Sequence, residues 1–165
     1  GKTDRGMVNP DWDGPGADLF NELLCQSKAM DPLSRLIASG ALERHPRMRF
    51  VLAECGIGWL AWALQTLDEL THKRHMWIEP RLELQPSEYF KRQGYVTFGD
   101  DAVGVRSREV PGVDRLMWGN DYPHDEGTFP HSREVIDRIF QDVPEDEKRM
   151  IVGGNAAEGY GFTLH

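Results

Sequence analysis

Between Leu116 and Ser132 the chain gathers Asp121, His124, Asp125, Glu126 and His131 in one short stretch. These residue types can ligate a metal, hold a substrate carboxylate or move a proton. The stretch opens with an apolar run, Leu116 to Trp118, that stops at Gly119, and a helical pattern begins after Ser132. That order reads as strand, polar loop and helix N-terminus. In α/β proteins the loop leaving the carboxyl end of a strand is where ligands and chemistry sit. Asp121 falls just past the strand end, where a carboxylate can project into a central site. Ordinary turn chemistry accounts for Asn120, Pro123 and Pro130. It does not account for Trp118, Tyr122, Phe129 and two histidines in one loop, so a functional reading is preferred.

Two further predicted strands also end in acids: Arg47–Glu54 ends in Glu54, and Tyr95–Phe98 runs into Asp100 and Asp101. In a parallel sheet these ends point the same way, and acids converging at one rim repel unless a cation or protons offset them. A divalent metal is the simplest partner. Asp121 is the first choice, as a ligand or as a base for metal-bound water. Asp101 reads better as a cap for the following helix, and Asp100 shares that alternative. His124 lies closer to Asp121 than His131 does and is the better candidate of the two. His72 and His75, three apart around Lys73 and Arg74, suit a helix C-terminus through its dipole. His45 sits in a helix-ending loop and reads as structural. Cys55 follows Glu54 without an obvious base and reads as packing.

The elements that must position these groups alternate. Residues Gly1 to Asp18 read as loop. Leu19, Phe20, Leu23 and Leu24 recur at helical spacing, and Asp31-Pro32 reads as an N-cap followed by a first-turn proline. Phe50 to Ala53 is a continuous apolar run, as in a strand covered on both faces. Gly56 and Gly58 turn the chain into a helix over Trp59 to Leu70. Pro86 to Arg92, with Ser87 as cap, and Ala102 to Arg108 predict short helices, and Glu134 to Phe140 follows the third strand. Pro144 starts the last helix, Gly153-Gly154 breaks it, and Asn155 begins a final turn. Strand and helix thus alternate three times, the βα pattern of a parallel sheet. A closed barrel needs eight such units and about 250 residues, so three cannot close one.

At 165 residues the chain fits one domain. Its net charge of -8 and lack of a Lys/Arg stripe argue against a nucleic-acid partner. No apolar run is long enough to span a bilayer, and no secretory signal opens the chain. Two cysteines without metal-like spacing, Cys25 and Cys55, favour a reduced, cytoplasmic setting. The chain opens with Gly1 and its first Met is Met7, which favours further sequence upstream.

Three segments resemble the amidohydrolase-related family, the group that includes aminocarboxymuconate-semialdehyde decarboxylase and related aromatic-acid decarboxylases. They are Glu43 to Trp59, Leu116 to His124 with Pro130 and Ser132 downstream, and Gly154 to Phe162. The likeness runs from about Asp31 onward. It implies that residues 1–165 are a single partial domain, the C-terminal part of a TIM-type (β/α)8 barrel with three βα units and terminal helices in residues 19–165. The family's divalent metal, often zinc, is held by a His-x-His pair on the first strand, a histidine on the fifth and an aspartate on the eighth. Asp121 matches the aspartate, and the other ligands have no counterpart in this chain. Decarboxylase members place a catalytic histidine where this chain has Glu54. The resemblance therefore implies metal-dependent hydrolysis by activated water, with Asp121 and Glu54 as metal ligands and Asp121, Glu54 and His124 as catalytic groups. Non-oxidative decarboxylation of a small aromatic or unsaturated carboxylic acid is the alternative within the family. A small carboxylic acid is the expected partner, and a homodimer of the full-length chain is left open. From another class, a non-catalytic binding domain or an inactive truncation would explain the missing ligands.

Overall fold

Three short strands pair side by side in parallel, in the order β1 (Phe50–Leu52), β2 (Gly94–Phe98) and β3 (Leu116–Trp118). This computed structural model describes residues 14–163, apart from the side chains of Asp18 and Glu22. Register pairs Val51 with Tyr95 and Thr97 with Met117, so these four residues share one face of the sheet. On the other face Leu52, Val96, Phe98 and Leu116 pack into a single core with the helices. The α/β expectation holds, with strands alternating with helices as the apolar runs required.

Helices α1 (Ala17–Ser27), α2 (Met30–Ala38) and α3 (Ala41–Arg44) precede the sheet. The loop expected over Gly1 to Asp18 lies mostly outside the described residues, and its last two residues already belong to α1. Asp31 is not the cap of α2. The helix begins one residue earlier, and Asp31 accepts from Arg35 Nε at 2.8 Å within it. Pro32 is tolerated there because first-turn N–H groups have no intrahelical partner. Leu33, Ile37 and Leu42 are buried as their spacing demanded.

The strand over Arg47–Glu54 is shorter than expected and is covered on one face more than the other. Phe50 and Val51 are half-buried and Ala53 is exposed, because β1 is an outer strand with β2 as its pairing partner. Helix α4 (Leu60–Arg74) continues past Leu70, and its last turn carries His72, Lys73 and Arg74, which complement the dipole. Helix α5 (Pro86–Gln93) is capped by Gln85 rather than Ser87: Glu88 Oε2 accepts the Gln85 N–H at 2.8 Å, and Pro86 takes the first helical position. Ser87 instead donates its backbone N–H to Asp68 Oδ1 at 2.8 Å. Gln93, fully buried, donates Nε2 to the carbonyls of His45 (2.9 Å) and Met48 (3.2 Å), tying the approach to β1 onto the end of α5.

Helix α6 (Ala102–Arg106) follows β2, and α7 (Ser132–Ile139) follows the loop after β3. Gly153-Gly154 does not break the C-terminal helix. Residues Met150–Gly154 form a π turn that leads from α8 (Glu145–Arg149) into α9 (Asn155–Tyr160). Asn155, 2% exposed, fixes that register by donating Nδ2 to Val113 O (2.8 Å) and Leu116 O (2.7 Å). Helix α9 reaches the second face of the sheet, where Gly159 leaves room for Met117 and Tyr95. Among the described residues no helix is long and apolar enough to cross a membrane.

Candidate metal centre

The carboxyl ends of β1 and β3 each carry an acid in a left-handed backbone conformation. Glu54 has φ 55° and Asp121 has φ 57°. A side chain pays a steric penalty there, Asp less than Glu, and such residues persist only where neighbouring structure fixes them. The neighbouring structure is visible in both cases.

Asp121 is fixed by its own loop. Gly119 N–H donates to Phe98 O at 2.9 Å, extending the β2–β3 pairing to the start of the loop. Thr128 N–H donates to Asn120 O at 2.9 Å and closes the loop, while His124 N–H donates to Asp121 O at 2.9 Å inside it. Tyr122 N–H donates to Asn120 Oδ1 at 3.2 Å. Gly127 is needed for close approach: a Cβ there would lie 2.7 Å from Asn120 O, 2.9 Å from Asp121 O and 3.0 Å from His124 O.

Glu54 is fixed from β2. Its N–H donates to Thr97 Oγ1 at 2.9 Å. The turn beyond it is gripped by Asp101, whose Oδ2 accepts the N–H groups of Ile57 (2.7 Å) and Gly58 (2.6 Å) and whose Oδ1 accepts Gly104 N–H at 2.7 Å. Asp101 is thus the helix cap expected from sequence, and it also pins the turn after β1.

These supports bring three side chains together. Glu54, Asp121 and His124 each offer a ligand atom, and the three atoms lie within 4.8 Å of one another. His124 Nδ1 lies 3.1 Å from Asp121 Oδ2. That hydrogen bond, then the Asp121 charge itself, raises the His124 pKa above the usual histidine value, with smaller help from Glu126 and Glu54. The pair therefore favours folding fully below about pH 6.5, and that contribution fades as pH rises through the raised value. An NMR titration of the His124 ring is expected to show a midpoint above the ordinary one, returning toward it in Asp121→Asn.

The other candidates lie apart. Asp100 is ion-paired with Arg138. His131 sits at the start of α7, 3.3 Å from Glu134. His75 Nδ1 is 3.0 Å from His72 O, so these two histidines engage the helix end rather than each other's rings. His45 ends α3 and is exposed. Cys55 is buried, and burial pushes its thiol up to about 11, whereas Cys25 is exposed. At pH 8 a thiol reagent is expected to modify Cys25 in the folded chain and Cys55 only on unfolding; rapid modification of both would contradict this packing. Thr97 was missed by sequence reasoning. Its one signal is a hydroxyl inside the otherwise apolar run Tyr95 to Phe98.

An acid at the end of each outer strand, β1 and β3, and an imidazole on the aspartate's loop thus meet at one rim of the sheet, across the end of β2. The family model described as amidohydrolase matches residues 25–162, and the chain belongs to that family. No curated protein matches it. Among solved structures it is similar to 5-carboxyvanillate decarboxylase LigW from Sphingomonas paucimobilis, at 31% identity and TM-score 0.68, over 87% of this chain and 41% of that one. An amidohydrolase from Mycobacterium avium subsp. paratuberculosis K-10 matches at 22% identity and TM-score 0.71, over 92% of this chain and 37% of that one. A 5-carboxyvanillate decarboxylase from Novosphingobium aromaticivorans, complexed with manganese and 4-hydroxy-3-methoxy-5-nitrobenzoic acid, matches at 23% identity and TM-score 0.67, over 83% of this chain and 40% of that one. The chain spans about two fifths of the length of these structures.

Proposed function

We propose that this chain supplies Asp121, Glu54 and His124 to the metal centre of a metal-dependent enzyme that decarboxylates a small aromatic or unsaturated carboxylic acid. In this reading residues 1–165 are one partial domain, and its three βα units belong to a TIM-type barrel. The observation that carries the reading is the convergence of the three ligand atoms within 4.8 Å at the carboxyl end of a parallel sheet. The two carboxylates, Asp121 and Glu54, are hard donors that suit manganese as well as zinc. The manganese in the Novosphingobium structure makes Mn²⁺ the first ion to try. When bound, the cation supplies positive charge that orients and polarises the substrate.

The chain's own groups divide the remaining work. Asp121 Oδ2 engages His124 Nδ1, and the Asp121 carboxylate together with Glu54 would hold the cation. Decarboxylation breaks a C–C bond; carbon dioxide departs, and the carbon keeps the electron pair and takes up a proton. His124, whose Nδ1 lies 3.1 Å from Asp121 Oδ2, is the imidazole of this cluster placed to carry that proton. Glu54 stands where the decarboxylase members place a histidine, and its carboxylate adds a second anionic ligand.

Hydrolysis is the second reading, favoured by Glu54 itself. A carboxylate in place of an imidazole suits a base that deprotonates water. The 31% identity to LigW weighs toward decarboxylation. The test is to offer the Mn²⁺-loaded protein hydroxylated benzoic acids and, separately, small esters and amides. Carbon dioxide release from an acid supports the first reading. Ester or amide cleavage without carbon dioxide release would replace it with the second.

A further inference from the structure

We propose that Thr97 is a positioning residue of this cluster, its hydroxyl holding the Glu54 backbone in the left-handed conformation that turns the carboxylate toward Asp121 and His124. The inference rests on the reading of Glu54 as a metal ligand.

Pairing of β1 with β2 ends at Leu52, which is registered with Val96. Glu54 lies two residues beyond, at φ 55°, past the reach of the ladder. Its N–H is satisfied by Thr97 Oγ1 at 2.9 Å, a side-chain bond across 43 residues of sequence. A left-handed glutamate is unfavourable in itself, so a partner that arrests its backbone decides where the carboxylate goes. The turn's far end is already held by Asp101 through Ile57 and Gly58. Thr97 is the matching hold at the near end.

The position of Thr97 supports this. Its neighbours on β2, Gly94, Tyr95, Val96 and Phe98, are all buried, and Thr97 alone is half-buried. Valine has nearly the same shape and equal strand preference, so packing does not call for a hydroxyl here. Among the described residues the hydroxyl's partner is Glu54, from which it accepts. Strand β2 thereby serves both flanking acids: Phe98 O receives Gly119 N–H on the way to Asp121, and Thr97 Oγ1 receives Glu54 N–H. Hydrogen bonds that orient a metal ligand typically shift metal affinity by about 10–100-fold.

The test measures Mn²⁺ affinity by calorimetry and the thermal midpoint of the whole chain, for the wild type, Thr97→Val, Thr97→Ser, Glu54→Gln and the Thr97→Val/Glu54→Gln pair. Expected is a loss of about 10–100-fold for Thr97→Val with little change in midpoint, and wild-type affinity for Thr97→Ser. The double variant should bind no more weakly than Glu54→Gln alone, since both changes remove one ligand's contribution. Thr97→Val binding like the wild type while Glu54→Gln binds weakly would overturn the positioning role and leave the metal reading standing. Glu54→Gln binding like the wild type would overturn Glu54 as a ligand and this inference with it. Should Thr97→Val not fold, Thr97→Ala is read in the same way. Failure of both to fold would overturn the proposal, because the hydroxyl would then serve the fold and not Glu54.

Discussion

Asp121→Asn is expected to lower the affinity of the chain for Mn²⁺ by about a hundredfold or more while leaving the fold intact. The magnitude follows from what is removed. Loss of a supporting hydrogen bond alone typically costs about 10–100-fold, and this change removes an anionic ligand. The fold is spared for a local reason. Asn adopts the left-handed conformation as readily as Asp, so φ 57° stays accessible. The loop's own hydrogen bonds, Thr128 N–H to Asn120 O and His124 N–H to Asp121 O, are made by the backbone and do not involve the substituted atom. Metal content after dialysis, with a thermal melt beside it, reads both halves. Wild-type metal content in Asp121→Asn would remove Asp121 from the proposed ligands.

Gly104→Ala is expected to be the most damaging small substitution, costing about 3 kcal/mol of stability by overpacking. A Cβ at this position would lie 2.1 Å from Ile57 Cγ1, 2.8 Å from its Cδ1 and 2.9 Å from Gly58 N. None of these can move aside cheaply. Ile57 is 1% exposed in the core, and Gly58 N is held by Asp101. Relief would pull α6 from the turn after β1 and break the Asp101 hold, so Glu54 would lose its placement as well. Chemical denaturation should show the lost stability. A variant as stable as the wild type would mean that the turn and α6 are not clamped as described.

The alternation of strand and helix, the three strand positions and the burial of Leu33, Ile37, Leu60 and Leu64 were legible because apolar spacing reports directly on which face is covered. Caps and helix ends were less legible, since they depend on particular partners. Gln85 rather than Ser87 starts α5 because Glu88 reaches back to it, and the glycine pair stays helical because Asn155 anchors the turn that follows. At the site, Asp121, Glu54 and His124 could be nominated from residue type and strand ends. Their backbone conformations could not, because a left-handed residue that is not glycine leaves no mark in composition. Thr97 and the second role of Asp101 were hidden because both act on residues more than forty positions away.

The central claim is that Glu54 and Asp121 together bind a divalent cation beside His124. Its most direct measurement is a calorimetric titration of the chain with Mn²⁺, repeated with Asp121→Asn and with Glu54→Gln. One ion bound per wild-type chain, with the affinity sharply reduced in each variant, is the predicted result. No binding by the wild type, or binding that neither substitution weakens, would contradict the account and leave the chain a member of its family without a metal centre of its own.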